Sequence, residues 1–205
     1  MRVLVAGLGT MGRSHALAYH AHPDVEIIGL VNRSDVALPQ ELAGYPRFAT
    51  FAEGLALKPD LVCVATYSDS HADYAIAAME NGADVFVEKP LATTVADAQR
   101  VVATAKQLGR KLVVGYILRH HPSWQRLIAE ARDLGGPYVF RMNLNQQSHG
   151  YMWDVHRNLM KSLSPIVDCG VHYIDVMCQM VRSRPVQVSA IGARLTNDIP
   201  EGNYN

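Results

Sequence analysis

The chain has 205 residues, 49% of them apolar, and its 19 basic side chains are balanced by 19 acidic ones. That length suffices for one large domain, or one domain and part of another, and that apolar share builds a core without disulfide or metal staples. Zero net charge with scattered basic residues gives no support for a nucleic-acid or polyanion surface, and no nucleic-acid partner is expected.

Strand patterns run from Arg2 to Ala6, Val25 to Val31, Leu61 to Ala65, Asp84 to Val87 and Lys111 to Gly115. Most are short, continuous apolar runs, as parallel strands buried on both faces require. A weak short strand is expected at Arg47 to Ala49. Helical patterns alternate with them: Met11 to His22, a short piece near Pro39 to Ala43, Ser70 to Asn81, and Val95 to Leu108. Gly82 and Gly109 follow helices, where a C-terminal glycine is favoured, and Asp69 and Thr94 are candidate N-caps. Such alternation predicts an α/β fold with a doubly wound parallel sheet over residues 1–118.

Beyond the crossover from Gly115 to Pro122 the pattern changes. A helix is expected from Ser123 to Leu134, a strand from Tyr138 to Gln147, an irregular polar stretch from Gln146 to Lys161, a helix from Ser164 to about Arg182, and a strand from Pro185 to Leu195. Two strands and a long helix do not close a sheet. Residues 119–205 therefore read as part of a second domain, and the expectation is that the chain stops partway through it.

Gly7-Leu8-Gly9-Thr10-Met11-Gly12 lies between the first strand and the first helix. In such a motif the first glycine makes the tight turn, the second admits a pyrophosphate to the backbone, and the third lets helix and strand pack closely. The helix N-terminus offers free N–H groups to the phosphates. At the end of the second strand, an acidic residue about 20 positions on favours NAD and an arginine favours NADP. Here the chain carries Asn32-Arg33-Ser34, which favours NADP, while Asp35 keeps NAD open. Glu88-Lys89-Pro90 follows the strand Val85-Phe86-Val87, and Pro90 restricts the backbone from which the Lys89 side chain starts.

The helix from Ser164 has an apolar stripe of Val167, Val171, Ile174, Cys178 and Val181. Beside it run Asp168, His172, Asp175, Gln179 and Arg182. A neutral His172 takes a proton near neutral pH, with Asp168 and Asp175, one turn to either side, placed to orient it. The same spacing also fits a solvated polar stripe. The three cysteines, Cys63, Cys169 and Cys178, form no C-x-x-C pair, which fits a reducing compartment. No stretch reaches membrane-span length and no leader pattern opens the chain, so a cytoplasmic protein without membrane contact is expected.

With His15 shortly after the first motif, these residues resemble the glucose–fructose oxidoreductase, inositol dehydrogenase and MocA-like (Gfo/Idh/MocA) family. The resemblance rests on Gly7 to Gly12, on Glu88-Lys89-Pro90 and on the run from Asp168 to Asp175, in the family's order. It implies an N-terminal Rossmann domain, then an α/β (α+β) domain whose mostly antiparallel sheet also forms a homo-oligomer. It implies NAD(P)-dependent hydride transfer at a sugar, polyol or related hydroxyl or carbonyl carbon. Lys89, Asp168 and His172 match the family's catalytic residues: His172 as general acid/base, Lys89 positioning the reacting oxygen, Asp168 supporting both. Gly7, Gly9, Thr10, Met11, Gly12, Asn32, Arg33, Ser34, Thr66, His71, Glu88 and Lys89 are the implied cofactor residues. Tyr116, Arg119, Trp153, His156, Arg157 and Asp175 are the implied substrate residues, and no metal is expected. Ser162-Leu163-Ser164-Pro165 departs from the family's glycine-rich segment, and family members are longer. A non-catalytic NAD(P)-sensing regulator on the same fold, or a cofactor-binding fragment without turnover, is the alternative; the intact Lys89, Asp168 and His172 favour an enzyme.

Overall fold

Short β-branched runs separated by helix-length segments carry the chain back and forth across a single sheet. The computed structural model describes residues 1–144 and 147–201. The chain divides into two compact units, Met1–Gly115 and Tyr116–Asn205.

The first unit contains strands β1 (Arg2–Ala6), β2 (Glu26–Val31), β3 (Arg47–Phe48), β4 (Leu61–Val64), β5 (Asp84–Val87) and β6 (Leu112–Val114). They form one parallel sheet in the order β3-β2-β1-β4-β5-β6. The order reverses direction between β1 and β4, and a crevice opens at the carboxyl ends of the strands at such a point. Helices α1 (Thr10–His20), α2 (Phe51–Leu55), α3 (His71–Glu80) and α4 (Val95–Leu108) connect them.

Alternate strand residues serve opposite faces of the sheet. Leu4, Ala6, Val62, Val64, Val85 and Val87 pack with Ala72, Ala75 and Met79 of α3 and Val101 and Ala105 of α4. Val3, Val5, Ile27, Leu30 and Cys63 pack on the other face with Ala16 of α1. Both faces are covered, so the strands are apolar throughout; each fully buried valine or leucine contributes roughly 1.5–3 kcal/mol.

Local chemistry sets the helix ends. Thr94 caps α4 by accepting the Asp97 N–H at 3.1 Å, and Gly109 ends that helix in the left-handed region at φ 63°. At α3 the capping position falls on Ser70, with Asp69 in the short 3-10 turn before it, so the expected Asp69 cap does not form. Helix α2 was not expected. A capping box makes it: the Thr50 hydroxyl accepts the Glu53 N–H at 3.4 Å, and the Glu53 carboxylate accepts the Thr50 N–H at 3.0 Å.

The second unit contains α5 (Pro122–Leu134), α6 (Tyr151–Leu159), a wide π turn (Ile166–Gly170) and α7 (Val171–Val181). Three expectations change here. The stretch from Gln146 to Lys161, expected to be irregular, holds α6, whose Tyr151, Met152, Val155 and Leu159 recur at helical spacing. The helix expected from Ser164 to Arg182 is broken into the wide turn and α7, with Asp168 in the turn. The strands expected from Tyr138 to Gln147 and from Pro185 to Leu195 do not form among the described residues; Asn145 and Gln146 lie outside them. A strand exists by pairing, and neither segment has a partner there. Their apolar side chains stay exposed: Val139 94%, Val186 100%, Ile191 101%.

Candidate active site

Strand register sets the site. Ala6 is level with Val31 and with Val64, Val64 with Val87, and Val87 with Val114. The residues that follow, Gly7, Asn32, Ala65, Glu88 and Gly115, emerge in one row at the carboxyl edge. Their amides extend the ladder by one rung: Gly7 N–H to Val31 O at 2.8 Å, Ala65 N–H to Ala6 O at 2.7 Å, Glu88 N–H to Val64 O at 2.8 Å, and Gly115 N–H to Val87 O at 2.8 Å.

Steric limits fix the glycine loop. Gly7 has φ 91°, and a methyl group there would lie 2.4 Å from Ala65 O. One at Gly12 would lie 1.8 Å from Gly7 O, so helix α1 approaches the turn only with glycine in place. Gly9 differs: a methyl group there meets nothing within 4 Å. The second glycine is therefore free of packing demands and borders open space. Gly9 is also the N-cap of α1, no side chain caps that end, and the first turn through Thr10 and Met11 carries no acid. Its unbonded N–H groups and positive dipole end suit a phosphate. The chain's residues thus fit a dinucleotide pyrophosphate.

Asn32 ties this loop to the end of β2. Its Oδ1 accepts the Leu8 N–H at 3.0 Å and its Nδ2 donates to Ser34 O at 2.8 Å. Arg33 and Ser34 are exposed and line a recess of about 190 Å³ with Leu8, Asp35, Arg47 and Phe48.

Thr66 follows β4, its hydroxyl 2.7 Å from that of Ser70. His71 is only 1% exposed. Its Nδ1 lies 2.7 Å from Pro90 O and its Nε2 3.1 Å from Thr66 O, which makes it a brace beneath both loops.

Glu88 is buried beside Lys89. Its Oε1 lies 2.7 Å from His15 Nε2, and its Oε2 accepts the Lys89 N–H at 3.2 Å. Burial pushes the Glu88 carboxyl up, but the His15 hydrogen bond and charge, with the Lys89 amide and ammonium, outweigh it and hold the group below its ordinary value. Deeper in the sheet, burial pushes the Cys63 thiol up to about 12 against a hydrogen bond from Tyr19, with the Glu88 charge adding to the rise. Glu88 thus holds His15 by a hydrogen bond, and its charge reaches Cys63 inside the sheet.

In the second unit the sequence-derived residues fall into two sets. Tyr116, Arg119, His172 and Asp175 come together. Arg119 Nε donates to Asp175 Oδ2 at 2.8 Å and its Nη2 to Asp175 Oδ1 at 2.5 Å. The guanidinium sits 5.0 Å from the Tyr116 ring centroid, and His172 meets that ring edge-on with centroids 6.4 Å apart. Asp175 was expected to orient His172. Its carboxylate forms a bidentate pair with Arg119, the strong geometry for a guanidinium and a carboxylate. Burial and then the Asp175 charge raise the Tyr116 phenol, with Arg119 opposing. Asp168 stands in the π turn, where the exposed Ile166 side chain folds over Gly170. Trp153, His156 and Arg157 form the other set on α6, where His156 Nδ1 faces the Ser148 hydroxyl and Arg157 pairs with Asp154 at 3.0 Å. Lys89 belongs to the first unit, Asp168 and His172 to the second.

Residues 1–116 match the family described as an oxidoreductase family with an NAD-binding Rossmann fold. The chain is 29% identical over 213 residues to the inositol 2-dehydrogenase of Acidiphilium cryptum (strain JF-5), covering 96% of this chain and 59% of that protein. It is 28% identical over 184 residues to the D-glucoside 3-dehydrogenase of Escherichia coli (strain K12), covering 85% of this chain and 52% of that one. The crystal structure of GenD2 from gentamicin A biosynthesis in complex with NAD superposes with a TM-score of 0.73 at 25% identity, over 88% of this chain and 53% of that one. The chain therefore spans between 52% and 59% of these relatives' lengths.

Proposed function

This chain belongs to the oxidoreductase family with an NAD-binding Rossmann fold, and on that premise we propose that it moves a hydride between a nicotinamide cofactor and a carbon bearing a hydroxyl or carbonyl on a sugar, polyol or related substrate. The observation that carries the reading is the level row at the sheet edge, with open space at Gly9 and Lys89 following Glu88 in the same row. The names of the relatives, an inositol dehydrogenase and a glucoside dehydrogenase, support the substrate class.

When bound, the nicotinamide dinucleotide supplies the hydride acceptor or donor. The chain's own groups do the rest. The N–H groups from Gly9 to Gly12 hold the pyrophosphate, and Thr66 flanks it. Arg33 and Ser34 bind a 2′-phosphate, so NADP is preferred, with NAD served through Asp35. Lys89 hydrogen-bonds the reacting oxygen, His172 takes or returns its proton, and Asp168 supports both. Tyr116 and Arg119, with Trp153, His156 and Arg157, contact substrate. The protein works in the cytoplasm as a homo-oligomer.

Titration of the full-length protein with NADH and NADPH, then a panel of polyols and sugars read by nicotinamide absorbance, tests this. Lys89→Ala or His172→Ala should lower turnover about 10²–10⁴-fold with cofactor affinity near normal. Full turnover in either variant overturns the mechanism. Binding without turnover across the panel would identify a cofactor sensor instead.

A further inference from the structure

We propose that Arg47, on the edge strand β3, is a second cation for the cofactor's ribose phosphate, and that Asp35 sets the choice between NADP and NAD by competing for it. The proposal rests on the dinucleotide reading above.

Register places Arg47 there. Leu30 pairs with Arg47 and Val31 with Phe48, so β3 runs alongside the last residues of β2. The Asn32 N–H continues that pairing to Phe48 O at 3.0 Å. Arg47 thus faces the same recess as Arg33, Ser34 and Asp35, though it lies well beyond them in sequence. Two guanidinium groups and one hydroxyl meet a single carboxylate, an arrangement suited to a phosphate dianion.

Arg47 is held but not used up. Its Nη2 donates to Asp35 Oδ1 at 2.7 Å and to Val36 O at 3.1 Å. Its Nε and Nη1 remain as donors for a further acceptor. The Val36 carbonyl fixes the guanidinium whether or not Asp35 stays. The Asp35 side chain is 91% exposed and that of Arg47 40%. An ion pair so open to water is weak and readily exchanged, so a phosphate entering the recess displaces the carboxylate. Among the described residues Arg33 has no ion pair and meets the same phosphate from the loop. An unphosphorylated ribose presents hydroxyl donors, which Asp35 accepts while still paired with Arg47. The one carboxylate therefore opposes NADP and favours NAD.

Nicotinamide fluorescence titrations with NADPH and NADH on the parent, Arg47→Met and Asp35→Asn test this without needing turnover. Arg47→Met should weaken NADPH about tenfold to hundredfold and leave NADH unchanged. Asp35→Asn should tighten NADPH and weaken NADH. Equal changes for both cofactors, or none, in Arg47→Met overturn the proposal while the cofactor site stands. A parent that binds neither cofactor overturns the site reading, and this proposal with it.

Discussion

His71 Nδ1 lies 2.7 Å from the carbonyl oxygen of Pro90, so a buried ring on α3 supports the turn that carries Lys89. The other ring nitrogen faces Thr66 O at 3.1 Å. One side chain thereby couples the loops after β4 and β5. His71→Ala removes the ring from between the Pro90 and Thr66 carbonyls, and a buried carbonyl left without its donor costs about 1–3 kcal/mol. We expect a lower urea midpoint together with weaker NAD(P)H binding. Unchanged values for both would show that the brace carries no load.

The three loop glycines should separate cleanly. Gly9→Val should abolish NAD(P)H binding while leaving the melting temperature close to the parent, because its side chain enters open space. Gly12→Ala should lower the melting temperature, because its methyl group meets backbone at 1.8 Å. Thermal melts with and without NADPH distinguish the two; a Gly9→Val protein that binds normally would move the pyrophosphate elsewhere.

The Glu88–His15 pair makes stability depend on pH. The folded carboxyl is held below its ordinary value of 4.5, so its contribution is fully present above that pH and is lost as pH falls through the depressed value. Glu88→Gln removes this dependence. Urea denaturation of both proteins from neutral to acid pH should show the gap between them closing as pH falls, and a constant gap would contradict the pairing.

Cys63 is wholly buried in the sheet, and its thiol is pushed up to about 12. It should resist alkylation in the folded protein at neutral pH, where thiolate is the reactive form. Peptide mapping after iodoacetamide, before and after denaturation, should find Cys63 labelled only in the unfolded sample.

Asp175→Asn should loosen α7 from the turn that carries Arg119. The side chain of Asp175 is 10% exposed, so the loss of its charged hydrogen bonds costs about 1–3 kcal/mol. Amide exchange across Val171–Val181 should accelerate in this variant, and parent-like protection would show that the pair is incidental.

What could be read from the sequence was what neighbours in sequence decide. The apolar runs of β1 and β5 and the Thr94 and Gly109 ends of α4 follow from residues a few positions apart. Thr50 and Glu53 carry an equally local signal for α2, but that helix has only five residues, too few for an apolar periodicity to show. The Glu88–His15 and Arg119–Asp175 pairs join residues 73 and 56 positions apart, and periodicity says nothing about such partners. Arg47 was hidden for the same reason: only sheet register brings it beside Arg33. The segments at Val139 and Val186 failed in the opposite sense, since a β-rich sequence forms a strand only against a partner.

The pairing of β1 with β2 contains an irregularity: Val3 is opposite Ile27, but Leu4 is opposite Gly29. Ile28 is thus a spacer. It gives β2 one residue more than β1 over the same height, and that surplus sets Asn32 level with Gly7 rather than with Leu8. Pairing in unbroken register from Val3 would set Asn32 one strand residue, about 3.3 Å, beyond its place. A hydrogen bond of 3.0 Å cannot stretch that far. The grip on the glycine loop, and with it the loop's alignment with the recess at Arg33, is set by a count of residues inside the core as much as by any group at the surface.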